Sequence, residues 1–123
     1  MIRGIGVDIV ALARIESALE RFGQRFVERI LTEREIAQLP KPIPIRSLAG
    51  RFAGKEAIAK ALGTGISGFS WHDIEVLRSQ GGDPRVELHR GAKEIARRRG
   101  VSKVWVSLSH ERTHAVASAV AEG

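Results

Sequence analysis

The hydrophobic period of this chain changes midway, and that change constrains its fold more than any other feature. The opening segment, Ile2 to Val10, alternates. Ile5, Val7 and Ile9 fall on one face and Gly4, Gly6 and Asp8 on the other, which predicts a strand. The spacing then turns helical. Leu12, Ile15, Leu19 and Phe22 predict a helix over 11–22 that stops at Gly23. A second short helical stretch runs from Phe26 to Leu31. Thr32 to Glu35 is a capping box that opens a third helix, ending before Pro40. Residues 41–46 hold Pro42 and Pro44 and read as an extended loop. Ser47 is the expected cap of a long helix that reaches Leu62 and is closed by Gly63. Past that point the period falls to two. Asp73–Leu77 and Arg85–Leu88 read as strands around Gly81-Gly82-Asp83, a helix spans Gly91–Arg99, and strands follow at Lys103–Ser109 and His114–Ala121. In 123 residues this layout predicts one domain over 1–123 of α+β class: antiparallel strands with one long helix plus shorter helices.

Composition narrows the function classes. With no cysteine, a disulfide framework, a thiolate zinc site and a cysteine nucleophile are excluded. No apolar run approaches the ~20 residues of a membrane span, and Met1 to Val10 lacks the pattern of a signal peptide, so the cytoplasm is the expected compartment. The net charge is +6, and it is unevenly placed. Residues 41–60 and 89–123 are both strongly basic, whereas residues 1–40 are balanced and 61–88 are acidic. Two basic segments point to an anionic partner: nucleic acid, a phosphorylated small molecule or an acidic protein. A solvated basic face is the plainer alternative.

Four places can carry chemistry. Asp8 shares its strand face with two glycines, which leaves room for a metal or a bulky ligand; it can equally cap the following helix. On the long helix, Leu48, Phe52, Ala59 and Leu62 form the expected core stripe. Glu56 and Lys60 lie one turn apart on an adjoining face that Ala49 and Ala53 keep low. They can form a surface ion pair worth about 0.3–0.5 kcal/mol or belong to a site. Lys55 projects close to the core stripe and is expected to extend its amine to water. Gly63-Thr64-Gly65-Ile66-Ser67-Gly68 is either a helix cap with a turn or a phosphate-approaching loop, and it lacks P-loop spacing. His110 ends an apolar strand, and His72 and His89 show no zinc-ligand spacing.

Taken together, Gly4-Ile-Gly-Val-Asp8-Ile-Val, Arg14-Ile15, Arg51-Phe-Ala-Gly-Lys-Glu56-Ala-Ile-Ala-Lys60-Ala-Leu-Gly-Thr-Gly65 and Ser107-Leu-Ser-His110 closely resemble the small trimeric class of 4′-phosphopantetheinyl transferases, across the whole chain and in order. The resemblance implies a 4′-phosphopantetheinyl transferase fold. It also implies a reaction that moves the 4′-phosphopantetheine arm of coenzyme A to a serine of an apo-acyl carrier protein, in support of fatty acid biosynthesis. By motif match Asp8 and Glu56 are the implied Mg²⁺ ligands, and with Lys60, which meets a coenzyme A phosphate, they form the implied catalytic set. Arg51, Gly63, Thr64 and Gly65 line the implied nucleotide site, and Ser109 and His110 contact it from the other side, across a subunit boundary. Lys41 and Arg46 extend toward the 3′-phosphate, in a proline-rich loop that departs from the family pattern. Arg14 is the implied contact for the acidic carrier protein, with Arg21, Arg25 and Phe26 extending that surface. His114 stands where the family often has tyrosine. A homotrimer with active sites at subunit interfaces is implied, and Val104, Val106, Leu108 and the alanines of 115–121 are the expected apolar interface.

Two other readings compete. A basic nucleic-acid-binding module explains the charge, but it leaves Asp8 and Glu56 unexplained and lacks aromatic platforms, with aromatics at 5%. A catalytically inactive coenzyme A-binding scaffold predicts nucleotide binding without transfer. Neither nucleic acid nor a membrane is an expected partner.

Overall fold

The computed structural model describes the backbone of residues 1–123 and every side chain except that of Ser67, so the Ser67 part of the glycine-rich segment lies outside the described side chains. The elements run β1 (Ile2–Ala11), α1 (Leu12–Phe22), α2 (Gln24–Ile30), α3 (Glu33–Ala37), α4 (Ile45–Ala61), β2 (Ile74–Arg78), β3 (Pro84–Leu88), α5 (Arg90–Arg98), β4 (Lys103–His110) and β5 (His114–Glu122), with 3₁₀ turns at Gly65–Gly68 and Trp71–Asp73. The α+β expectation holds. One antiparallel sheet has the order β1-β5-β4, and β2 and β3 form a separate hairpin. Among the described residues no helix is long and apolar enough to cross a membrane.

The sheet has two unlike faces because side chains alternate along each strand. Its inner face carries Gly4, Gly6, Asp8 and Val10 of β1, opposite Ala121, Ala119, Ala117 and Ala115 of β5. These small residues form a trough, and α4 lies in it. A Cβ on Gly4 would stand 2.0 Å from the carbonyl oxygen of Ala61, and one on Gly6 2.0 Å from that of Ala57. The helix has matching small residues in Ala49, Gly50, Ala53, Gly54 and Ala57 and is buried on nearly every side. The expected core stripe is therefore correct as far as it goes and too narrow.

Several local expectations are corrected. Ser47 does not cap α4. Pro44 is the N-cap, with φ −63 and ψ 141, and its carbonyl accepts the amides of Ser47 and Leu48. The fixed proline φ places the cap three residues earlier. Asp8 caps nothing: the residue before α1 is Ala11, with no side-chain cap. The capping box of Thr32 and Glu35 is present as predicted.

Lys55 does not reach water. It is fully buried, and its ammonium donates to the carbonyls of Ile30 (2.6 Å) and Trp71 (3.2 Å) and to Glu35 Oε1 (2.7 Å). Glu35 also accepts the amides of Thr32 and Val76, each at 2.8 Å. Burial lowers the Lys55 pKa from 10.5 and Glu35 opposes it. Every partner of this buried pair is satisfied, so it joins α2, α3, β2 and α4 at one point.

The alanines of β5 and Val104 of β4 are buried against α4 and do not form an outward apolar face. The apolar surface lies on the other side of the same sheet, where Ile5 (73% exposed), Val7 (60%), Ile9 (63%) and Trp105 (55%) stand.

Gly6→Ala must push α4 away from β1, because the added methyl meets backbone. The variant is expected to lose about 1–3 kcal/mol of stability, read as a lower urea midpoint at unchanged slope.

Candidate active site

Asp8 is the next inward residue after the glycine notch, so the close approach that Gly4 and Gly6 permit brings α4 beside it. Lys60 reaches across from the last turn of α4, and its ammonium donates to Asp8 Oδ1 at 3.1 Å and to the carbonyl of Val7 at 2.9 Å. Glu56 lies one turn earlier on the same helix face. Among the described residues no side chain hydrogen-bonds or ion-pairs with it. Its pKa is raised from 4.5, first by burial and then by the charge of Asp8; Lys60 and Arg14 pull it the other way. Asp8, Glu56, Lys60 and Arg14 thus converge on one surface. Arg14 comes from α1, with its guanidinium carbon 5.6 Å from the ring centre of Phe52, and Phe52 in turn stacks on Trp71 at 5.0 Å.

The donor set suits a hard divalent cation. Two carboxylates on different elements, one of them half-buried and without a hydrogen-bond donor, offer oxygen ligands, and Mg²⁺ takes one or two carboxylates with the rest from phosphate and water. A second acidic cluster is different in kind. Ligand atoms of Glu75, Glu87 and His89 lie within 4.8 Å of one another. However, Arg34 Nη1 already spans the two carboxylates at 3.1 and 3.3 Å, and Thr32 and His89 donate to Glu75 at 2.6 and 2.7 Å. A guanidinium supplies the cation there.

Arg51 does not join Lys60. Arg51 and Glu56 are five residues apart on a helix and point roughly 140° away from each other, and Arg51 faces β4. It is 3% exposed, and its Nε has no hydrogen-bond partner among the described residues. Its pKa is lowered from 12.5 by burial and then by the like charge of Arg78. With Arg46, Arg78, Ser109 and His110 it lines a hollow of about 380 Å³. Three guanidiniums line this hollow, and the buried one has an Nε with no partner among the described residues; such a group of cations suits an anion, because buried charge is costly until it is paired. Arg51, Ser109 and His110, named from sequence, come together here. Arg78 was not anticipated, since an arginine at a strand end has no periodic signal.

Gly63 and Gly65 have φ of +87 and +65, which favours glycine. The amides of Gly63 and Thr64 bond to the carbonyls of Lys60 and Ala59, so those two N–H groups close the helix. The guanidinium of Arg99 lies against Gly63, its Nη1 2.2 Å from where a Cβ would be. Lys41 donates to the carbonyls of Ile36 and Leu39 and ties down the end of α3, apart from Arg46. Arg21 and Arg25 are exposed, but Phe26 packs partly into the core. The exposed aromatic of that surface is Phe22, 50% accessible and covered by Arg21 at 5.2 Å.

Residues 4–119 match the 4′-phosphopantetheinyl transferase superfamily. The chain is 52% identical to the holo-[acyl-carrier-protein] synthase of Solidesulfovibrio magneticus, with 100% of both chains covered. It is 51% identical to that of Chlorobaculum tepidum, over 96% of this chain and 97% of the relative. Among solved structures, the holo-[acyl-carrier-protein] synthase of Neisseria meningitidis aligns with a TM-score of 0.91 at 41% identity over 100% of both chains. The Helicobacter pylori enzyme in complex with coenzyme A aligns with a TM-score of 0.85 at 37% identity, covering 96% of this chain and 99% of that one.

The raised pKa of Glu56 has a testable sign. A carboxyl whose folded pKa is raised favours folding fully below its unfolded value, and that contribution is lost as pH rises through the folded one. In metal-free protein the Glu56 carboxyl resonance is expected to titrate above 4.5, and Asp8→Asn should move that midpoint down. An unmoved midpoint would mean that Asp8 and Glu56 do not interact.

Proposed function

The chain belongs to the 4′-phosphopantetheinyl transferase superfamily, and from that premise we propose that Asp8, Glu56 and Lys60 form the centre at which it works. It transfers the 4′-phosphopantetheine arm of coenzyme A to a serine hydroxyl of apo-acyl carrier protein, releasing adenosine 3′,5′-bisphosphate. The serine oxygen attacks the phosphorus that bears the arm, and the bond from that phosphorus to the bridging pyrophosphate oxygen breaks. The nucleophile belongs to the partner, so this chain supplies placement and charge compensation. Asp8 and Glu56 would hold Mg²⁺, which when bound offsets charge developing on the pyrophosphate. Lys60, half-exposed at the rim, donates to a phosphate oxygen. The convergence of these three side chains carries the reading; an inactive scaffold has no need of it.

The Arg51–Arg78 hollow accepts a phosphate of the nucleotide half, with Ser109 and His110 beside it. It opens on a different face of α4 from Asp8, which supports a site completed by two subunits. The apolar outer face of the sheet supplies a surface for a homotrimer, where burying Ile5, Val7, Ile9 and Trp105 would be favourable. Gly63, Thr64 and Gly65 line the nucleotide near Lys60. Arg14, Arg21 and Arg25, with Phe22 as the aromatic anchor and Phe26 behind it, receive the acidic carrier protein. Residues 1–123 act as a single transferase domain in the cytoplasm.

Intact-mass spectrometry of apo-acyl carrier protein with coenzyme A, Mg²⁺ and this protein should show the gain of one phosphopantetheine arm, abolished by EDTA. Asp8→Ala should reduce turnover by about 10–100-fold or more while the assembly stays intact by light scattering. Coenzyme A binding without any mass gain would favour the inactive scaffold. Arg21→Glu with Arg25→Glu should raise the KM for carrier protein about tenfold, leave the KM for coenzyme A unchanged and weaken the salt dependence. Equal changes in both KM values would misplace the carrier surface.

A further inference from the structure

The basic segment 89–123 is only partly used by the transferase site, and four of its cations ring a separate cavity. This cavity of about 510 Å³ opens between β3, α5 and the start of β4, a size that holds a small molecule. Its walls are aliphatic: Val86 and Leu88 from β3, Val101 and Val104 from the far side. Arg90, Lys93, Arg97 and Lys103 stand around it. The one acid among the lining residues, Glu94, is held by Arg97 at 2.6 Å and Arg98 at 3.2 Å. Those bonds pull its pKa down to about 2, so its charge is already answered.

The remaining rim is cationic. Lys93 makes no side-chain hydrogen bond or ion pair with any described residue, and Lys103 rests over the ring of Trp105 at 4.5 Å. Arg90 is the single described non-glycine residue with positive φ, at +44, a conformation that L residues avoid. Its Nε is held by Asp73 at 2.9 Å, while the side chain stays 68% exposed. An apolar hollow ringed by cations recognises a ligand with an aliphatic body and an anionic head, and the aliphatic walls offer nothing to a polar body. A protein partner needs a broad patch of about 800 Å² per side, whereas this is a local hollow between three elements.

We propose that the cavity between β3, α5 and β4 is a second ligand site that binds a medium- or long-chain fatty carboxylate, with the tail against Val86, Leu88, Val101 and Val104 and the head at Lys93 and Lys103. The assignment does not depend on the transferase reading. One link to the catalytic region runs through α5, whose following residue, Arg99, lies against Gly63.

The test is calorimetric titration of the full chain with decanoate below its micelle concentration, with decan-1-ol as the neutral control. Saturable binding of one decanoate per chain is expected, with decanol at least tenfold weaker. Lys93→Glu with Lys103→Glu should weaken decanoate at least tenfold. Val101→Trp, which fills the cavity, should abolish binding and leave phosphopantetheinyl transfer unchanged; if it fails to fold, the exposed lysine pair still decides the question. Absent or non-saturable binding, equal binding of decanol, unchanged affinity in the lysine variant, or displacement of decanoate by coenzyme A would each overturn the proposal.

Discussion

The contact between the backbone of α4 and the backbone of β1 governs the rest of this structure. Gly4 and Gly6 have no side chains to hold the helix off, so Ala57 and Ala61 settle directly on the strand. The alanine row of β5 continues the same trough. A helix lying that deep brings its last two turns level with Asp8. The chemistry of the site therefore begins as a packing matter: residues of almost no volume let a half-buried carboxylate on the helix approach another on the strand.

The opposite flank of α4 is held by charge. Lys55 sits next to Glu56 in sequence, yet it points inward to the carbonyls of Ile30 and Trp71 and to Glu35. Such a buried pair adds little net stability compared with an apolar core. Removing one partner, however, leaves an uncompensated charge and costs about 3–5 kcal/mol, so the pair resists local rearrangement of the helix that carries Glu56 and Lys60. Arg51 is the counterexample on the same helix. It is buried beside Arg78 and has no partner for Nε among the described residues, which is why the nucleotide phosphate is proposed to bind there.

These two arginines and the Asp8 group occupy different faces of one chain, which gives the exposed side of the sheet its meaning. Ile5, Val7 and Ile9 alternate with the glycines and Asp8, so one strand builds the helix trough inward and an apolar surface outward. The subunit interface proposed for that surface, with a site shared between subunits, would follow from the same alternation.

The sequence by itself determined the element order, the α+β class, the strand faces of residues 2–10 and the capping box at Thr32, each of which rests on local spacing or on a motif within a few residues. Asp8, Glu56 and Lys60 stand out through the family resemblance, since spacing alone leaves a helix cap and a surface ion pair open. Only the tertiary structure decided where Lys55 places its charge, because no spacing reveals that Glu35, Ile30 and Trp71 meet around it. It also decided that the alanines of β5 face inward, that Arg78 joins Arg51, and that Phe22 rather than Phe26 is the exposed aromatic. Alternation divides a strand into two faces but does not say which one receives the helix. That choice belongs to α4, whose own small residues fit the glycine and alanine side and leave the isoleucines outside.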